Sequence, residues 1–155
     1  QALRLWLRML TCTQLIETHI RADLREQFDT TLPRFDLMAQ LEREQQGLSM
    51  SELSRRMMVT GGNVTSIVDQ LEKEKLVVRQ VGVNDRRSFT VNLTKAGREA
   101  FTEMAVAHEE WVTDLFSGLS TNQQSQLHTL LGAMKKNLQK HSFRNCKRHN
   151  TFHNC

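Results

Sequence analysis

A chain of 155 residues, 39% apolar and 25% charged, has room for one domain, or one small domain with helical extensions around a single core. Its net charge of +4 and pI near 9.3 favour an anionic partner, and no apolar run approaches the roughly 18 residues that a membrane span needs. Three cysteines without framework spacing fit a reducing cytoplasm better than a secreted disulfide fold; no signal-peptide pattern is seen, and Gln1 in place of Met implies a start further upstream.

From Ala2 to about Gln27 there is neither Gly nor Pro, and Leu3, Leu7, Leu10, Ile16, Ile20, Leu24 and Phe28 trace one stripe along a long helix. Asp29-Thr30-Thr31-Leu32-Pro33 ends it and starts the next, with Thr31 as cap and Pro33 in the first turn. Phe35, Met38, Ala39 and Leu41 carry that second helix to Gln45-Gln46-Gly47, where glycine is expected to close it.

Ser49 followed by Glu52 is the spacing of a capping box, in which each side chain takes the other residue's free backbone N–H. A short helix follows, with Leu53, Met57 and Met58 inward, and Val59-Thr60-Gly61-Gly62 makes the turn, Thr60 being the expected cap of the next helix. In Asn63 to Lys75, Val64, Ile67, Val68 and Leu71 recur at helical spacing, which leaves Asn63, Thr65, Ser66, Asp69 and Gln70 outward. Small polar side chains at the start of a second helix suit contact with base edges, whereas an ordinary solvated face would more often carry Glu and Lys. Leu76 to Val81 and Ser88 to Leu93 alternate as half-buried strands around a loop marked by Gly82 and Asn84. Two adjacent arginines, Arg86 and Arg87, serve no purpose in a hairpin tip as such, but the narrow minor groove attracts guanidinium, and Asp85 can brace one of them. The competing reading is a surface Asp–Arg pair contributing little.

The order of these elements is that of a winged helix-turn-helix. The quoted residues also resemble the MarR family of bacterial transcription regulators: Ser49-x-x-Glu52-Leu53, Val64-Thr65-x-x-Val68-Asp69-x-Leu71-Glu72, Leu76-Val77, Asp85-Arg86-Arg87 and Leu93-Thr94-x-x-Gly97 stand at that family's spacing. The resemblance implies that Arg87 reaches the minor groove with Asp85 as its partner and that Arg86 meets phosphate. The chain departs from the family pattern at Ser66, where Arg is usual, so contacts at that position do not carry over, and at Lys75, where Gly is usual. Gly62, Asn63, Thr65, Ser66, Gln70, Asp85, Arg86 and Arg87 form the expected DNA-binding set.

After the wing, Thr94 opens a helix to about Ser117 with Ala100, Phe101, Met104, His108, Trp111, Val112 and Leu115 on its inner side. Gly118 interrupts it, Ser120-x-x-Gln123 is a second capping box, and Leu127, Leu130, Leu131, Met134 and Leu138 line a last helix. The expected fold is mainly α, a winged helix-turn-helix over 31–94 with dimerisation helices from 1–30 and 95–140, whose surplus apolar area a two-fold homodimer would bury. Residues 141–155 read as a basic, disordered tail; Cys146, His149, His153 and Cys155 lie too close together for a usual zinc finger, and no metal or cofactor is expected.

No phosphate loop, nucleophile elbow or paired His motif is present, so an enzyme is not expected. For a regulator of this type the resemblance implies a signal, either a small aromatic anion or oxidation of a thiol. His19, Arg25, Phe28, Arg34, Phe35 and Met38 could stack a ring and pair its carboxylate, and the Pro33-Arg34-Phe35 opening resembles family members that respond to hydroxybenzoates, hydroxycinnamates or a CoA thioester. The alternative for these residues is plain core. For oxidation the candidate is Cys12, but the chain has no Tyr to activate it as in peroxide-sensing relatives, so a small buried residue is the expectation. A winged adaptor that binds no DNA is the remaining alternative.

Overall fold

The computed structural model describes residues 1–57, 63–81 and 89–149, the last nine of these in backbone only. It is a winged helix-turn-helix, in the order α1 (Ala2–Phe28), α2 (Leu32–Glu42), α3 (Met50–Arg56), α4 (Val64–Lys73), β1 (Val77–Val81), β2 (Phe89–Leu93), α5 (Lys95–Leu115), α6 (Thr121–His149). The chain forms two compact units, Gln1–Val112 and Thr113–Cys155.

After α1, which has no side-chain cap, each helix start in the first unit has a local cause. Thr31 Oγ1 accepts from the Arg34 N–H at 3.5 Å, with Pro33 in the first turn. The Ser49/Glu52 box is closed in both directions, Ser49 N–H to Glu52 Oε2 at 3.0 Å and Glu52 N–H to Ser49 Oγ at 3.3 Å, and the carboxyl of Glu52 is held below its ordinary range mainly by that Ser49 backbone bond. Thr94 Oγ1 accepts from Gly97 N–H at 2.9 Å and so opens α5.

Two boundaries differ from expectation. Helix α2 stops at Glu42, ahead of Gly47, because the left-handed backbone of Gly47 is needed elsewhere. At φ 77 it turns the chain so that Leu48 can bridge Val91, with N···O distances of 3.1 and 2.8 Å. Helix α4 is capped by Asn63, whose Oδ1 accepts from Thr65 N–H at 3.0 Å, in the place foreseen for Thr60, which with Met58 lies outside the described residues.

The strands pair antiparallel from Val77↔Leu93 to Val81↔Phe89. Leu24, Leu37, Met38, Leu41, Leu48, Leu53, Val68, Leu71, Val77 and Val91 are the largest fully buried side chains, so one core joins α1, α2, the helix-turn-helix and the wing. Each such side chain contributes about 1.5–3 kcal/mol by leaving water. Only the C-terminal half of the α1 stripe shares in this: Ile16, Ile20, Leu24 and Phe28 pack, while Leu3, Trp6, Leu7, Leu10 and Leu15 stay exposed. Cys12, expected to be buried, is exposed on that same stretch of α1, whose leucines are exposed among the described residues.

In the second unit α5 ends in a turn, Ser117 N–H to Asp114 O at 3.1 Å and Leu119 N–H to Phe116 O at 3.0 Å. The Ser120/Gln123 box then starts α6, with Ser120 N–H to Gln123 Oε1 at 2.8 Å. Leu127, Leu130, Leu131 and Leu138 are exposed along α6. The backbone of α6 runs helical to His149, past the end expected near Lys140, as no Gly or Pro follows Gly132 to break it.

Candidate nucleic-acid interface and effector cleft

Helix α4 divides its residues cleanly. Ile67, Val68 and Leu71 are buried and Val64 is half-buried against them, whereas Asn63, Thr65, Ser66, Asp69 and Gln70 are exposed. Gln70 Nε2 reaches Ser66 Oγ at 3.4 Å, one turn back. Asn63 is exposed as expected, but its Oδ1 is engaged as the cap, which leaves its amide nitrogen for any outside partner. Gly62, Asp85, Arg86 and Arg87 lie outside the described residues.

The arginine that organises this face is one that sequence patterning does not single out. Arg79, on β1, donates to both Asp69 and Glu72 of α4, its backbone N–H also donates to Glu72 at 3.2 Å, and its guanidinium lies 5.6 Å from the centre of the Phe89 ring. Its pKa is raised, chiefly by the Asp69 bond. Asp69 is therefore spent on the wing strand, and it fixes the angle between helix and hairpin. No local pattern flags this, since the partners are ten residues apart.

Helix α4 ends in a Schellman motif. Leu76 N–H reaches Leu71 O and Lys75 N–H reaches Glu72 O, both at 2.9 Å, with Lys75 left-handed at φ 61. Thr94 Oγ1 donates to Lys75 O at 2.7 Å and holds the turn to the start of α5. Gly97 packs there: a Cβ built on it would stand 1.9 Å from Leu76 O.

Beside that turn lies a cleft of about 330 Å³, lined in part by Phe28, Arg34, Met38, Glu74, Glu103 and Met104. Of the six residues expected around a ligand it brings Phe28, Arg34 and Met38 together. His19 and Arg25 are exposed on α1 and not part of the lining, because the helix turns Ile20 and Leu24 inward instead. Phe35 is core: its ring stacks on Phe101 at 5.5 Å and meets His108 at 4.9 Å. Burial lowers the pKa of His108.

Arg34, on the first turn of α2, pairs across the cleft with Glu74, the residue that caps the end of α4. Its side chain is 14% exposed against 47% for Glu74, and its Nε is buried with no partner among the described residues. Asp29 and Glu103 add two further carboxylates to the lining, neither of which is among the residues expected there. No group of three or more His, Cys, Asp or Glu suited to a metal ion occurs among the described residues, where Cys12 is the one cysteine whose side chain is described. Nor is any helix among them long and apolar enough to cross a membrane.

A MarR family model matches residues 28–88, which run from the last residue of α1 to the residue before β2. The uncharacterized HTH-type transcriptional regulator YkoM of Bacillus subtilis is 34% identical over 82 residues, 53% of either chain, so the match spans about half of that relative's length. Among solved structures, a MarR family transcriptional regulator from Silicibacter pomeroyi superposes with a TM-score of 0.77 at 31% identity, covering 88% of this chain and 94% of the other. Sco3205 of Streptomyces coelicolor, a MarR family regulator solved in complex with DNA, gives a TM-score of 0.74 at 25% identity, over 87% of this chain and 86% of its own. A polar-faced second helix, a two-stranded wing strapped to it by Arg79, and near end-to-end agreement with a regulator at 31% identity meet in one conclusion: the chain belongs to the MarR family.

Proposed function

We propose that the protein is a dimeric DNA-binding transcriptional repressor, in which α4 enters the major groove, the wing reaches the adjoining minor groove, and a small aromatic acid weakens the complex. The observation that carries the DNA-binding part is the face of α4: Thr65, Ser66 and Gln70 are exposed, small or uncharged, and set directly opposite Ile67, Val68 and Leu71 in the core. The DNA complex of Sco3205 supports the reading. Exposed leucines along α1 and, separately, along α6 are the apolar surface that a two-fold homodimer would cover, and such a dimer would hold its two recognition helices about 34–36 Å apart on a pseudo-palindrome. Phe28, Met38 and Arg34 in the cleft suit a hydroxybenzoate- or hydroxycinnamate-type ring and its carboxylate.

The test is salt-dependent binding to a duplex selected by the purified protein from a random-sequence library. Arg87→Ala, between the two strands in sequence, is expected to weaken binding and to reduce the slope of log K against log salt by about one. Unchanged affinity and slope would favour a winged adaptor instead. One finding supports a second signal, thiol oxidation: Cys12 is exposed rather than buried. Loss of DNA binding on peroxide treatment that Cys12→Ser prevents would establish that signal in place of the acid.

A further inference from the structure

We propose that the Arg34–Glu74 ion pair is the latch through which the cleft acts on the recognition helix: a monocyclic aromatic monocarboxylate takes Arg34 away from Glu74 and frees the end of α4. This rests on the aromatic-acid reading above and adds to it the path of the signal.

Three observations converge. The pair joins two elements across the cleft, since Arg34 belongs to α2, Glu74 closes α4, and both line the space a ligand would occupy. Glu74 is held through one guanidinium nitrogen, Nη2, while the buried Nε has no partner among the described residues. A ligand carboxylate can take both nitrogens of that edge at once, two charge-assisted bonds in place of one, and satisfy a donor now desolvated without return. Finally, the negative charge of Glu74 sits where the dipole of α4 is also negative, a placement that its bond to Arg34 offsets. Once Arg34 is taken, that charge is uncompensated at the last turn of the helix that carries Gln70.

The remaining lining defines the ligand. Phe28 supplies a ring face, and Met38 and Met104 supply polarizable thioethers beside it. With Asp29, Glu74 and Glu103 set against Arg34, the one cation of the lining, the cleft admits no more than the single negative charge that Arg34 pairs, and a hydroxyl on the ring has carboxylate acceptors available. About 330 Å³ is the small end of the range for ligand sites, roughly 300–1,000 Å³, and matches one ring rather than a thioester with its carrier.

The experiment uses the full chain, 4-hydroxybenzoate as probe, calorimetry for the acid, and anisotropy for the library-selected duplex, with circular dichroism to confirm folding of each variant. In the wild type the acid is expected to bind and to weaken the duplex complex tenfold or more. Glu74→Gln is expected to bind the acid about tenfold more tightly, because nothing competes for Arg34. Its duplex affinity, already reduced, should then change less than twofold on adding the acid, as coupling is reciprocal. A Glu74→Gln protein that binds the acid no more tightly and still responds as the wild type does would overturn the latch. If neither protein binds the acid, the aromatic-acid reading fails and the latch is judged on duplex affinity alone. Arg34→Gln, Glu74→Gln and the double variant then form a cycle: a double no weaker than either single keeps the latch, and additive losses overturn it.

Discussion

Replacing Lys75 by glycine should stabilise the protein, although it removes a charged side chain and adds chain flexibility. Lys75 occupies the left-handed position of the Schellman motif at φ 61, where a Cβ costs about 1–2 kcal/mol. Glycine removes that cost but returns about 0.5–1 kcal/mol through the freedom of its unfolded chain, and losing a lysine near a helix C-terminus gives back about 0.3 kcal/mol more. The motif's own bonds are backbone bonds from Leu76 to Leu71 and from Lys75 to Glu72, and the bond from Thr94 Oγ1 ends on the Lys75 carbonyl, so all three survive the exchange. The balance is a gain of about 0.5 kcal/mol, or roughly 1–2 °C in Tm for a chain of this size. Calorimetric melting at one fixed protein concentration measures it, the fixed concentration being needed because the Tm of the dimer proposed above would move with mass action. Lys75→Ala is the control: it keeps the Cβ in the same strained region and should leave Tm unchanged or lower. Equal gains from Ala and Gly would assign the effect to the lost side chain and refute the role given to φ; a loss with Gly would refute it outright.

The next perturbation runs the other way. Gly97→Ala should cost about 2–4 kcal/mol, because the added methyl stands 1.9 Å from the Leu76 carbonyl oxygen and the backbone must part to admit it; denaturant unfolding reads the loss. A pH effect follows from His108, packed edge-on to Trp111 at 6.5 Å and against Phe35 at 4.9 Å, with its pKa below the ordinary 6.5 through burial. Its folded pKa lies beneath its unfolded one, so the unfolded chain takes up the proton first: the contribution is complete above about pH 6.5 and fades as pH falls through that value toward the folded one. Stability measured between pH 7 and 5.5 should flatten in His108→Phe.

Much of the fold could be read from the chain because the signals were local. Both capping boxes, the Thr31 cap and the alternation of the wing strands each involve residues within a few positions of one another, and each stands where the residues imply. Gly47 was misplaced because glycine signals a left-handed residue without saying which turn needs it; here the need is the Leu48–Val91 bridge, a contact between residues far apart in sequence. The same limit governs the sites. The outward face of α4 follows from helical spacing alone, but Arg79 with Asp69, and Arg34 with Glu74, are joined only by folding, the second pair across forty residues. Within α1, periodicity separates Phe28 from His19 and Arg25 once the inward positions Ile20 and Leu24 are fixed, and it is the helix's rotation, hidden in a stripe of widely spaced leucines, that settles which side chains the cleft receives. The exposure of Cys12 was out of reach because the first half of α1 carries leucines for which the described chain offers no cover.

The double grip of Arg79 has a consequence for how any such protein could be switched. With Asp69 and Glu72 of α4 held by one guanidinium of β1, and that group seated on Phe89, the helix and the two strands are tied together by side chains as well as by the chain between them. A regulator so built cannot lose its target by letting its hairpin sag away from its helix. On the function proposed above, an effector would act by moving helix and strands together rather than by separating them.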